Sequence, residues 1–115
     1  MQPYRVGIVG ATGMVGQRFT LLLEHHPWFQ VTCLAASARS AGKTYREAVE
    51  GRWAFKDRPI PANVADMTVL DASQVEEVSS RVDFVFCAVD MKKDEIRALE
   101  ERYARAETPV VSNNS

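Results

Sequence analysis

The glycine-rich stretch near the N-terminus constrains the fold of this chain more than any other feature. Four of the six glycines lie within residues 7–16, and three of them, Gly10, Gly13 and Gly16, recur at every third position. An apolar run typical of a β-strand, Tyr4 to Val9, precedes them, and a helical pattern follows at once. A strand, a glycine turn and a helix in this order are typical of a phosphate-binding turn, in which N–H groups at the helix N-terminus face an anion.

The spacing of these glycines predicts a separate task for each. We expect Gly10 to permit a tight turn, Gly13 to let the backbone approach a pyrophosphate, and Gly16 to let the helix pack closely on the strand. The pattern G-x-x-G-x-x-G is one residue longer than the usual dinucleotide fingerprint, and glycine turns without ligands are common. The position of the turn between a strand and a helix is therefore what favours nucleotide binding.

Composition excludes several classes of function. The chain has 115 residues, enough for one domain, and its formal net charge of −1 gives no basic field for nucleic acid or for an anionic membrane. No apolar run approaches the roughly 20 residues of a membrane span, and no signal-peptide pattern opens the sequence. Cys33 and Cys87 both lie in apolar β-type runs, which predicts buried, reduced thiols and a cytoplasmic location.

Strands and helices alternate along the rest of the sequence. Further strands are predicted at 30–36, 68–70, 83–89 and 109–112, with a short helical turn over 73–80 and a helix over 92–106. Residues 45–67 show no regular pattern. We expect the first helix to face the sheet through an apolar stripe formed by Val15, Phe19, Leu22 and Leu23. This order predicts a Rossmann-type α/β fold, a doubly wound parallel sheet in a single domain, with ligands at the carboxyl ends of the strands.

The loop after the second predicted strand indicates which nucleotide is bound. No acidic residue occurs between Val31 and Arg46, whereas NAD-binding domains place a carboxylate near the end of this strand for the ribose 2′-hydroxyl. A 2′-phosphate requires cations and hydroxyl groups instead. The basic loop, residues 37–43, offers such a set, which favours NADP over NAD: Ser37, Arg39, Ser40 and Lys43.

Two other features of the sequence point to chemistry less strongly. Gly42-Lys43-Thr44 matches the end of a nucleoside-triphosphate P-loop, but Ser37 stands where the first glycine belongs and no clear helix start follows, so we reject that interpretation. Cys87 lies near the carboxyl end of a buried strand and is placed to border the cofactor. It is not a convincing nucleophile, since no histidine follows position 26 in the chain.

Four ordered stretches resemble the N-terminal part of aspartate-β-semialdehyde dehydrogenases. The first two are GATGMVGQRF over residues 10–19 and ASARSAGK over residues 36–43. The other two resemble its archaeal and fungal branch: residues 53–67, with DRPIP at 57–61, and the closing VSNNS at 111–115. The resemblance covers essentially the whole chain.

The resemblance implies an oxidoreductase that reduces β-aspartyl phosphate with NADPH, on the route to lysine, threonine and methionine. It places Thr12, Gly13, Met14 and Val15 at the cofactor pyrophosphate, and it assigns the basic loop to the 2′-phosphate. The family's catalytic cysteine, acid–base histidine and substrate-binding arginines belong to sequence beyond the closing motif. The chain is therefore expected to be the cofactor domain of a longer, oligomeric enzyme, and to contain no catalytic residue and no metal site.

Other functions stay open at this point. A related reductase, such as N-acetyl-γ-glutamyl-phosphate reductase or malonyl-CoA reductase, would use the same domain and a different second half. A non-catalytic NADP-binding regulator can carry the same glycine pattern, and a natural reading frame ending near residue 115 would favour it. A short-chain dehydrogenase is disfavoured because the chain contains no Tyr-x-x-x-Lys pair.

Overall fold

Five parallel strands form the centre of the molecule, in the order β3-β2-β1-β4-β5. The computed structural model describes residues 3–89 and 91–112, so the last three residues of the closing motif lie outside the described residues. The order is that of a Rossmann-type sheet and confirms the predicted fold class. In sequence the elements are β1 (Tyr4–Val9), α1 (Met14–Leu22), β2 (Phe29–Ala36), α2 (Tyr45–Ala48), α3 (Ala62–Ala65), β3 (Val69–Asp71), α4 (Val75–Ser79), β4 (Phe84–Cys87), α5 (Lys93–Arg105) and β5 (Val110–Ser112).

Helices cover both faces of the sheet. One hydrophobic cluster joins α4 and α5 to side chains of β1, β2 and β4, and includes Val9, Val85 and Tyr103. The other cluster, with Ile8, Leu34 and Tyr45 among its members, packs the opposite face against α2 and α3. Successive residues of β1 therefore enter opposite cores, as a strand covered on both faces requires.

A register shift lies between β1 and β2. Val6 pairs with Val31, but Gly7 pairs with Cys33, which leaves Thr32 as the extra residue. Such a bulge moves the side chains that follow it to the other face of the sheet. Cys33 accordingly joins the cluster under α5, whereas Val31 belongs to the cluster on the other face.

The predicted apolar stripe of α1 is wrong in part. Leu23 is buried and Phe19 is partly buried, but Val15 is 39% exposed and Leu22 is 63% exposed. The buried face of α1 consists instead of Gly16, Gln17 and Thr20. Periodicity missed this face because a glycine and two polar residues form it.

Two short helices within residues 45–67 were not predicted. The first is stabilised by a capping box: the Thr44 hydroxyl accepts from the Glu47 N–H at 3.2 Å, and the Glu47 carboxylate accepts from the Thr44 N–H at 3.1 Å. The expectation that no helix start follows Gly42-Lys43-Thr44 was therefore wrong. The T-x-x-E pattern over residues 44–47 was the signal that could have revealed it.

Candidate functional site

The glycine turn, residues 10–16, has the backbone that its sequence predicts. Gly10 has φ of +88°, and a Cβ atom there would lie 2.7 Å from the backbone of Ala88 and Val89 at the end of β4. A Cβ atom on Gly16 would collide with the carbonyl oxygen of Gly10. These contacts confirm the tight turn at Gly10 and the close helix packing at Gly16.

Open space lies beside Gly13. This residue is the N-cap of α1, and a Cβ atom added to it would meet nothing closer than the Gly10 carbonyl oxygen at 3.9 Å. The first N–H groups of a helix have no acceptor within it, and in the described part of the chain no side chain caps this end of α1. A helix N-terminus with free donors beside open space suits an anion.

A cleft of about 510 Å³ lies over the carboxyl ends of the strands and includes this space. Its volume falls within the range of roughly 300–1,000 Å³ typical of cofactor sites. The glycine turn and the ends of β2, β3 and β4 supply most of its lining, which comprises Gly10, Thr12, Gly13, Ala36, Ser37, Ala38, Arg52, Asp71, Ala72, Ser73, Ala88, Val89, Met91 and Leu99.

The structure brings four of the sequence-predicted site residues together in this cleft: Gly10, Thr12, Gly13 and Ser37. Thr12 is 8% exposed, and its hydroxyl group forms no hydrogen bond with another described residue. Met14 and Val15 are exposed on the first turn of α1 and do not line the cleft. Whether these residues hold a cofactor stays a prediction.

The basic loop folds back beside the cleft. The Ser37 carbonyl oxygen accepts from the N–H groups of Ser40 and Ala41, and the backbone of residues 42 and 43 bonds to Val69 of β3. The side chains of Arg39 and Lys43 are exposed and do not line the cleft, and Ser40 is buried. Both predicted cations therefore lie outside the wall of the cleft.

Cys87 does not border the cleft. Its side chain lies in the hydrophobic cluster under α5. Side chains alternate along β4, so Cys87 lies on the face of the sheet opposite to Phe84 and Phe86. Burial raises the pKa of Cys87 to about 11, and it raises the pKa of Cys33 to about 11 as well. Both thiols are free, buried and protonated at neutral pH, as the sequence predicted for structural cysteines.

Sequence reasoning missed two charged residues of the cleft. Asp71 ends β3, where its carboxylate accepts from the Ser73 hydroxyl at 2.7 Å and from the Ser73 N–H at 2.9 Å. These hydrogen bonds, the hydroxyl group first, hold the pKa of Asp71 below its ordinary value. An acid directly after a predicted strand was a usable signal, whereas nothing local in the sequence marked Arg52.

The described residues offer neither a metal site nor a membrane-spanning helix. Among residues 3–89 and 91–112, no group of three or more His, Cys, Asp or Glu side chains is arranged to hold a metal ion. Within the same residues, no helix has the length and apolarity needed to cross a membrane.

Comparison with known proteins identifies relatives over nearly the whole chain. Residues 5–115 match the family model described as "Semialdehyde dehydrogenase, NAD binding domain". The aspartate-semialdehyde dehydrogenase of Archaeoglobus fulgidus is 42% identical over 114 residues, which cover 97% of this chain and 30% of that protein. The enzyme of the same name from Methanothermobacter thermautotrophicus is 44% identical over 112 residues, which cover 96% of this chain and 29% of that protein.

A crystal structure of the Candida albicans aspartate-semialdehyde dehydrogenase with NADP superimposes with a TM-score of 0.84 at 37% identity. It matches 97% of this chain and 30% of that one. The chain thus spans about 30% of the length of these relatives, which are archaeal and fungal as the resemblance predicted. The chain belongs to the semialdehyde dehydrogenase family, as its NAD-binding domain.

Proposed function

We propose that residues 1–115 are the NADP-binding domain of a longer aspartate-semialdehyde dehydrogenase. The observation that carries this proposal is the cleft at the glycine turn, where the open space beside Gly13 meets the N-terminus of α1. The cofactor diphosphate would lie there, within reach of Thr12 and of the N–H groups of Met14 and Val15. Family membership and archaeal and fungal relatives of that name support the proposal.

The end of β2 supports the choice of NADP over NAD. Ala36 and Ser37 line the cleft at this strand end, where NAD-binding domains carry a carboxylate. Among the described residues that line the cleft, the acid is Asp71 on β3, and Ser73 already bonds its carboxylate. A 2′-phosphate placed beside Ser37 would lie toward the basic loop, where Arg39 and Lys43 would neutralise its charge and the Ser40 hydroxyl group would donate to it.

The chemistry of the whole enzyme would be hydride transfer from NADPH, coupled to release of phosphate from β-aspartyl phosphate. This chain would bind and orient the cofactor, while the nucleophile and the substrate-binding side chains would come from the rest of a longer, oligomeric protein. We expect that protein to be cytoplasmic. The chain alone should show no reduction of aspartyl phosphate, and measurable NADPH consumption would place a nucleophile within it.

Calorimetric titration of the chain with NADPH and with NADH tests the proposal. We expect NADPH to bind more tightly, by about tenfold or more, because the 2′-phosphate adds charged hydrogen bonds. Equal affinities would refute the assignment of the basic loop. A chain that binds neither dinucleotide would refute the proposed function.

A further inference from the structure

We propose that Arg52 binds the diphosphate of the dinucleotide, an inference that rests on the proposed function. No pattern in the sequence marks this residue, and it lies on the loop after α2, 36 positions beyond the glycine turn's Gly16. It is nevertheless the single basic residue among the described residues that line the cleft. The glycine turn lines the same cleft.

The side chain of Gln17 fixes Arg52 next to the glycine turn. Gln17 is 1% exposed, and its amide group donates to the Thr12 carbonyl oxygen at 2.9 Å and to the Arg52 carbonyl oxygen at 3.1 Å. Its own carbonyl oxygen accepts from the Ala54 N–H at 2.8 Å. One buried amide therefore joins the start of α1 to the loop that carries Arg52.

The backbone of Arg52 is held on both sides. Its N–H donates to the Val49 carbonyl oxygen at 2.8 Å, at the end of α2, and its carbonyl oxygen accepts from Gln17. This anchoring reduces the conformational entropy that the loop would lose on binding a ligand. A guanidinium group on a fixed backbone is suited to the two-point recognition of phosphate oxygens.

The charge of Arg52 is available for a ligand. Within the described part of the chain, the Arg52 guanidinium forms no ion pair and no hydrogen bond. Asp71 carries the one carboxylate among the described residues that line the cleft, and it is bonded to Ser73 instead. The cation and the N-terminus of α1 adjoin the same cleft, which brings together two anion-binding features, as a diphosphate with two negative charges requires.

The diphosphate is favoured over the 2′-phosphate as the partner of Arg52. The hydrogen bonds of Gln17 hold Arg52 against Thr12 of the glycine turn, whereas the basic loop is bonded to β3. The diphosphate is common to NADPH and NADH, so Arg52 would contribute to affinity without discriminating between the two. Arg39 would carry the discrimination.

The test is calorimetric titration of Arg52→Ala, Arg52→Glu and Arg58→Ala with NADPH and with NADH. The control, Arg58, is an exposed arginine of the same connection between α2 and α3 and does not line the cleft. We expect Arg52→Ala to raise the Kd of both dinucleotides by about tenfold, with their ratio unchanged. Arg52→Glu should raise both further, because it places a carboxylate beside the phosphates, and Arg58→Ala should leave both unchanged.

Three results would overturn the inference, and they are distinguishable. An unchanged Kd in Arg52→Ala and Arg52→Glu would refute the role of Arg52 while leaving the proposed function intact. A loss confined to NADPH would assign Arg52 to the 2′-phosphate and refute the diphosphate assignment. Failure of the unsubstituted chain to bind either dinucleotide would refute the proposed function and this inference with it.

Discussion

The glycine turn and the basic loop adjoin the same cleft, but they differ in what determines their structure. In the glycine turn, backbone contacts determine almost everything: Gly10 lies against the end of β4, and Gly16 lies against the Gly10 carbonyl group. In the basic loop, the backbone is bonded to β3, but the side chains of Arg39 and Lys43 extend into solvent. The glycine turn is therefore formed by folding, whereas the basic loop needs its ligand to fix its side chains.

We expect the largest effect on stability from Gly16→Ala in the glycine turn. The added Cβ atom would collide with backbone that cannot move without opening the turn, so we expect the free energy of unfolding to fall by about 3 kcal/mol. Urea unfolding followed by circular dichroism measures this loss. Gly42→Ala in the basic loop is the matched control: its φ is +90°, but nothing lies within 4 Å of an added Cβ atom, so it should cost only about 1 kcal/mol. Equal losses at both positions would contradict the difference between the two regions.

Arg39→Ala tests whether the basic loop recognises its ligand through side chains. We expect this substitution to weaken NADPH binding by about 1.5–3 kcal/mol, as for a lost charged hydrogen bond, and to leave NADH binding nearly unchanged. Calorimetric titration with both dinucleotides measures the two losses. Arg46→Ala is the control, since Arg46 pairs with Asp66 at 3.0 Å and does not line the cleft. A matching loss for NADH would remove Arg39 from the 2′-phosphate.

Thr44→Ala tests how firmly the end of the basic loop is anchored. Loss of the N-cap hydroxyl of α2 should reduce the free energy of unfolding by about 1 kcal/mol, and Thr44→Ser should retain most of it. Urea unfolding at neutral pH compares the two variants. A loss in Thr44→Ser as large as that in Thr44→Ala would show that the hydroxyl group is not the stabilising feature.

The same capping box predicts an acid dependence. The N–H of Thr44 and then its hydroxyl group lower the pKa of Glu47 below its ordinary value. A carboxyl group with a lowered pKa in the folded chain stabilises the fold above its ordinary pKa of 4.5, and this stabilisation disappears as the pH falls through the lowered value. Thr44→Ala keeps the N–H and removes only the hydroxyl group, so its loss of stability should be somewhat larger at neutral pH than in acid. A loss that is constant with pH would contradict the hydrogen bond from the Thr44 hydroxyl group to the Glu47 carboxylate.

Backbone requirements were the part of this molecule that the sequence predicted best. Glycine spacing, strand apolarity and helix periodicity act locally, so the Rossmann-type fold and the tasks of Gly10 and Gly16 could be predicted from pattern alone. The buried face of α1 could not, because a polar side chain, Gln17, lies at its centre and finds its partners in distant segments. Tertiary packing brings these partners to Gln17, and a short stretch of sequence does not reveal it.

The residues that line the cleft could likewise be predicted only where a local sequence signal marked them. Ser37 was found because it directly follows a predicted strand in a loop without acidic residues, whereas Thr12 was found through the family resemblance. Arg52 was missed because its place beside the glycine turn depends on an amide hydrogen bond from Gln17, which lies 35 positions away in sequence. Cys87 was predicted to border the cofactor from its position along β4, but the alternation of that strand turns its side chain into the core under α5.

The affinity of Gly13→Ala for NADPH tests the phosphate-binding role of the glycine turn most directly. Gly13 has φ of −80°, and an added Cβ atom would meet no protein atom closer than 3.9 Å, so the variant should keep its free energy of unfolding to within about 1 kcal/mol. The Cβ atom would nevertheless occupy the space proposed for the diphosphate. We expect a folded chain whose Kd for NADPH is raised by about tenfold or more, measured by calorimetry beside urea unfolding of the same sample. A folded Gly13→Ala chain that binds NADPH as tightly as the parent would contradict the phosphate-binding role of the turn.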